Sequence, residues 1–160
     1  MTTHRIHEFA IHGGSLHLDA THFPVLVATW AGTITHEIMD AYFELRAPYT
    51  QRADELGLKV VVITDATRMD LPVAAVRKYI GEQAKAIDRS FASMLGYAVI
   101  VPSQLLRGIV TAIGWFMGDH ALVMRQAATL EGAWAETQKL YAEAGATPPP
   151  LPAKLRGGVA

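Results

Sequence analysis

The residues with the chemistry to act lie where apolar segments end. Asp65 follows Lys59–Thr64 directly, and a carboxylate there could serve as phosphoacceptor, metal ligand or general base. It could equally order its own loop as an Asx turn. Thr67 and Asp70 complete the polar side chains of the loop expected at Asp65–Asp70. Ser103, after Val101-Pro102, would open a helix whose free amides and dipole favour an oxyanion. No G-x-S-x-G elbow surrounds it, and a plain N-cap role explains it as well. His4, His7, His12, His17 and His22 precede the first core segment. Their spacing matches no metal-ligand pattern and no cysteine completes a zinc set, so a hairpin with surface histidines is expected. His36 and His120 fall near helix ends, where capping or acid–base work would both fit. Gly114-Trp115-Phe116-Met117 sets three large apolar side chains in succession, more than one helical face. Trp115 and Phe116 are therefore interface candidates, with core packing as the alternative. Pro149-x-x-Pro152-x-Lys154 has the form of a polyproline ligand, and equally of a simple tail.

Composition bounds what these residues can serve. A chain of 160 residues, 51% hydrophobic and 18% charged, has the size and apolar content of one globular domain. A net charge of -1 leaves no basic excess for phosphates, which argues against a nucleic-acid partner. With no cysteine, disulfides, thiolate metal sites and a cysteine nucleophile are excluded, and a reducing compartment is the natural home. Met1–His12 has no continuous apolar core of a signal peptide. The greasy stretch Ile109–Met117 is far shorter than the ~20 residues of a membrane span. A cytoplasmic protein without metal or cofactor is the expectation.

The elements that would position the candidates follow from pattern. Arg5–Ile11 and Ser15–Asp19 alternate about Gly13-Gly14, which predicts an N-terminal hairpin. Val25–Trp30 and Lys59–Thr64 are apolar without alternation, the pattern of strands covered on both faces. A helix from Thr35 to Gly57 repeats Ile38, Tyr42, Leu45, Tyr49, Ala53 and Leu56, with Pro48 expected to kink or divide it. A second helix is predicted along Val73, Val76, Ile80, Ala84, Ile87, Phe91 and Met94. Tyr97–Val101 is a further strand, followed by a helix from Ser103 to Met117, a short strand at Ala121–Met124 and a helix from Thr129 to Gly145. Residues 147–160 are proline-rich and expected to be extended or disordered, leaving 1–146 as the domain. Strands alternating with helices make this α/β, a largely parallel mixed sheet with an antiparallel hairpin and four helices. In such sheets ligands bind at the carboxyl ends of the strands, which directs attention to Thr29 and Trp30, Thr64–Asp70, Pro102 and Ser103, and Arg125 and Gln126.

Asp65 with Ser103 and a later cation would suit a response-regulator receiver, but a receiver needs an acidic pair after its first strand. Here those positions read Trp30-Ala31-Gly32. The hairpin, Val25-Leu26-Val27-Ala28-Thr29-Trp30-Ala31-Gly32 running to Thr35, and Lys59-Val60-Val61-Val62-Ile63-Thr64-Asp65 together resemble the STAS-like proteins. Within that superfamily the likeness is to stand-alone sporulation anti-anti-sigma-like domains, and it covers roughly residues 5–145. It implies a mixed sheet with helices on one face. Anti-sigma antagonists carry a phosphorylated serine after an Asp at the next helix start. The matching stretch here is Met69-Asp70-Leu71-Pro72, with Leu71 in place of the serine and Thr67 the only hydroxyl in the loop, so the phosphoswitch does not carry over. What the resemblance leaves is a scaffold for protein interaction or, as in related lipid-carrier folds, for an apolar molecule beside the helices.

The first expectation is thus a non-enzymatic regulatory or protein-interaction domain, a homodimer or partner-binding module using Asp65, Thr67, Asp70 and Ser103, with Trp115 and Phe116 at the interface. The alternative is a binding domain whose helices part to enclose an apolar small molecule. An enzyme using Asp65, Ser103 or His36 comes last, since no pairing of these residues is evident.

Overall fold

The β-branched run after Lys59 forms an inner strand of a six-stranded sheet in the computed structural model, which describes residues 5–88, 90–101, 103–104, 107–108, 111 and 123–156. The strands are β1 (Ile6–Ile11), β2 (Gly14–Asp19), β3 (Val25–Gly32), β4 (Val60–Met69), β5 (Met94–Ile100) and β6 (Val123–Ala127), lying side by side in chain order. β1, β2 and β3 pair antiparallel, whereas β3 to β6 are parallel. The helices are α1 (His36–Leu56), α2 (Ala74–Asp88), α3 (Leu130–Glu143) and the short α4 (Ala153–Arg156). The α/β architecture with an antiparallel N-terminal hairpin is that expected from the sequence. No described helix is long and apolar enough to cross a membrane.

Helices cover both faces of the sheet rather than one. Val60, Val62 and Ala66 of β4 pack with Leu26, Ala28 and Trp30 of β3 beneath α1 and α2. Val61 and Ile63 face the other way, where Ala133, Trp134, Leu140 and Tyr141 of α3 cover them. This is why Val60–Ile63 shows no alternation: every side chain in it is buried.

Several boundaries differ from the sequence reading. The hairpin turns on His12-Gly13, both at positive φ (49° and 81°), not on Gly13-Gly14. Gly14 belongs to β2, and its need for glycine is steric, since a Cβ would sit 1.9 Å from the Thr33 carbonyl oxygen. Asp65–Asp70 is not a loop. β4 runs on to Met69 because β3, after an irregularity between Thr29 and Ala31, extends beside it to the pair Gly32↔Met69. α1 keeps the expected Thr35 cap, whose hydroxyl accepts from the Ile38 N–H at 3.3 Å, and ends at Gly57 with φ 66°. It is not divided at Pro48, since proline removes one N–H bond while buried Arg46, Thr50 and Ala53 anchor both flanks to the core. α2 stops at Asp88, short of Met94. Ser90 and Phe91 turn back onto the Ile87 and Asp88 carbonyls, and Met94 is taken by β5 opposite Val60.

The proline-rich segment is extended before α4 and lies against the fold, with Pro152 buried and Leu151 and Leu155 packed on the α3 side. Of the helix expected at Ser103–Met117, Gln104, Arg107, Gly108 and Thr111 are helical, with the Arg107 N–H bonded to the Ser103 carbonyl at 3.1 Å. The remainder of its stripe lies outside the described residues, as do Trp115, Phe116 and His120.

β5 and β6 approach closely at Gly96, where a Cβ would stand 2.4 Å from the Val123 carbonyl oxygen. Gly96→Ala is expected to cost about 1–3 kcal/mol in urea denaturation by forcing the strands apart. An unchanged midpoint would show that β6 does not press on β5 in this way.

Candidate functional site

Between the first face of the sheet and the two helices above it lies a cavity of about 110 Å³. Strand parity sets its floor: Trp30 of β3, then Thr64 and Ala66 of β4, with Met69 at that strand's end, Tyr97 and Val99 of β5, and Met124 of β6. The roof is Met39, Tyr42 and Phe43 of α1 with Ile80 and Ala84 of α2, and Ile34 closes one end. Ala66 below and Ala84 above are the small residues in this wall, so facing positions that larger side chains would fill leave a void. Apart from the Thr64 hydroxyl and the tips of the aromatic residues, the lining is apolar.

Two polar clamps span α1 and α2 on either side of this gap. At one, the Tyr79 hydroxyl donates to Asp40, and the His36 ring meets the Tyr79 ring edge-on at 4.3 Å. The hydrogen bond to Asp40 raises the Tyr79 pKa above the ordinary phenol range. At the other, Arg46 is wholly buried and its Nη2 donates to Asp88 Oδ1, while Nη1 donates to Tyr97 at 2.8 Å and Tyr42 at 3.2 Å. The Tyr97 hydroxyl in turn donates to Asp88 Oδ2 at 2.5 Å. Burial pushes Tyr97 well above its ordinary range and raises Tyr42 as well, against the opposing pull of the Arg46 charge.

Two buried donors stay unpaired: Trp30 Nε1 and Arg46 Nε. The Arg46 guanidinium lies 5.2 Å and 5.1 Å from the Tyr42 and Phe43 ring centres, so the rings stand beside its charge. Trp30 is 5% exposed and tilted 60° against Tyr42 with ring centres 5.1 Å apart.

The polar residues singled out from the sequence sit around this cavity rather than in it. Asp65, half-buried, alternates with Thr64 and Ala66 onto the α3 face, and its Oδ1 accepts the Thr67 N–H at 2.9 Å, an Asx turn. Thr67 is exposed. Asp70, also exposed, accepts from the Thr33 hydroxyl at 3.4 Å, and its N–H bonds the Gly32 carbonyl at 3.0 Å. Ser103 is exposed beyond β5. Among the described residues no three His, Asp or Glu side chains gather as a metal set.

Arg46, Asp88 and Tyr97 escaped the sequence reading, although a signal was present. Arg46 follows Tyr42 by four positions and Asp88 follows Ala84 by four, so each places a charge on the buried stripe of its helix. No protein-family model matches the chain, and no curated protein matches its sequence.

The raised phenols set a direction for pH. An unfolded tyrosine loses its proton near pH 10 while buried Tyr97 keeps it, so stability is full below about pH 10 and falls as pH rises beyond it, by up to about 1.4 kcal/mol per pH unit for each such group. Urea midpoints between pH 8 and 11 should therefore decline for the native chain. They should decline less steeply for Tyr97→Phe, which should start about 1–3 kcal/mol lower because Arg46 and Asp88 lose a partner. Equal slopes would remove Tyr97 from this account.

Proposed function

We propose that the protein is a non-enzymatic binding domain, acting in the cytoplasm, that holds a compact apolar molecule between the sheet and the α1 and α2 helices. The observation that carries this reading is the cavity of about 110 Å³ with its apolar wall. A close-packed interior rarely leaves such a void without use, because lost contacts around it lower stability. The two clamps keep α1 and α2 in place on either side, so the space is preformed and a ligand gains burial without first ordering the site. This keeps one of the expectations drawn from the STAS-like resemblance, an apolar ligand beside the helices.

Ala84→Leu extends a side chain from α2 into the space. Toluene at ten times its Kd should stabilise the native chain by about 1.4 kcal/mol in thermal unfolding. The Ala84→Leu chain, itself as stable or more so, should show no such shift. An equal toluene shift in both proteins would place the ligand elsewhere and sink the reading.

A second reading, a self-associating or partner-binding regulatory domain, is favoured by one feature. Leu71 and Val73 are 48% and 66% exposed on either side of buried Pro72, directly after Asp70 at the end of β4. Apolar side chains standing together in water suit a contact surface. Sedimentation of the native chain and of Leu71→Asp with Val73→Asp tests it. A dimer that the double variant turns into monomer supports this surface, and a monomer at all concentrations removes self-association through it.

A further inference from the structure

The cavity reading can be taken further, to the chemical class of its ligand. Trp30 brings an indole N–H, a group that can only donate, and it is buried beside the cavity with no acceptor. A buried donor without a partner is unfavourable, and native interiors keep few of them. Thr64 stands on the neighbouring strand and the same face, diagonal to Trp30, since Ala28 pairs with Thr64 and Trp30 lies two residues further on. Its side chain lines the cavity and makes no hydrogen bond among the described residues. An indole donor and a hydroxyl thus sit together on an otherwise apolar wall.

Charge recognition is absent from this pairing. Arg46 and Asp88 neutralise each other through direct contact, and the guanidinium stands behind the Tyr42 and Phe43 rings rather than in the lining. A carboxylate entering the space would lose its hydration and meet no unpaired cation. Size narrows the class again. An engineered cavity of about 150 Å³ in another protein takes one benzene, so about 110 Å³ with a partly open side suits a single ring and not a long acyl chain.

We infer that the cavity takes a neutral, ring-sized hydrocarbon bearing one oxygen acceptor, a cyclic ketone or alcohol, whose oxygen accepts from Trp30 Nε1–H and pairs with the Thr64 hydroxyl. The inference rests on the cavity reading above. Selectivity comes from the donor that only an oxygenated ligand satisfies, because a plain hydrocarbon leaves it unpaired.

Calorimetry on the full chain with cyclohexanone, toluene and benzoate, joined to ¹H–¹⁵N spectra of the indole N–H groups, tests it. Cyclohexanone should bind and move the Trp30 indole resonance, identified by its loss in Trp30→Phe. Trp30→Phe should weaken cyclohexanone about tenfold and toluene little. Thr64→Val, which keeps the shape and removes only the hydroxyl, should weaken cyclohexanone several-fold and serves if Trp30→Phe does not fold. Toluene and cyclohexanone binding alike, with Thr64→Val affecting neither, would overturn the oxygen acceptor while leaving the cavity reading intact. Preference for benzoate would overturn the neutral class. Failure of all three probes to bind would overturn the cavity reading itself.

Discussion

Arg46 and Asp88 are charged side chains with almost no access to water, and the placement of α1, α2 and β5 follows from the need to keep them together. Removing two charges from water costs several kcal/mol per ion, and only close contact with full hydrogen bonding recovers it. Here the recovery is shared. Asp88 receives from Arg46 and from Tyr97, and Arg46 gives to Asp88, Tyr97 and Tyr42. Those four residues come from α1, α2 and β5, so no one of these elements can shift without stranding a charge. Such a pair adds little net stability over a hydrophobic replacement, but it penalises any other arrangement heavily.

That constraint explains how a void survives beside the core. Helices resting on a sheet by apolar contact alone can slide to close a gap, and small residues such as Ala66 and Ala84 would invite it. The Arg46 cluster at one side and the Tyr79–Asp40 bond at the other fix α1 and α2 relative to each other. The second face has no comparable polar arrangement among the described residues. There Trp134 and Tyr141 of α3 fill the space over Val61 and Ile63, and the Tyr141 hydroxyl donates to the Lys59 carbonyl at 2.5 Å. One face of the sheet is thus packed for support and the other is propped open.

Much of the fold was legible because local rules and burial agreed. Thr35 and Gly57 bound α1, Thr129 caps α3, and Val60–Ile63 reads as a strand covered twice over. The misplaced boundaries share one cause. Whether Asp65–Met69 continues a strand depends on β3 reaching alongside it, and whether α2 ends at Asp88 depends on β5 claiming Met94. Neither partner is local in sequence. The same holds for the candidate site: the carboxyl end of β4 was the right place to look, but attention fell on polar Asp65 and Thr67, while the cavity uses Thr64 and Ala66.

By itself the sequence determined the class of the fold, the order of its elements and the absence of any cysteine chemistry, because periodicity, capping and composition act within a few residues or over the whole chain. Only the tertiary structure decided which face each strand residue takes, that helices lie on both sides of the sheet, that Arg46 meets Asp88 across 42 positions, and that a void remains beneath them. Pairing and packing between distant segments are collective, and a cavity is a property of the gap between side chains rather than of any one of them.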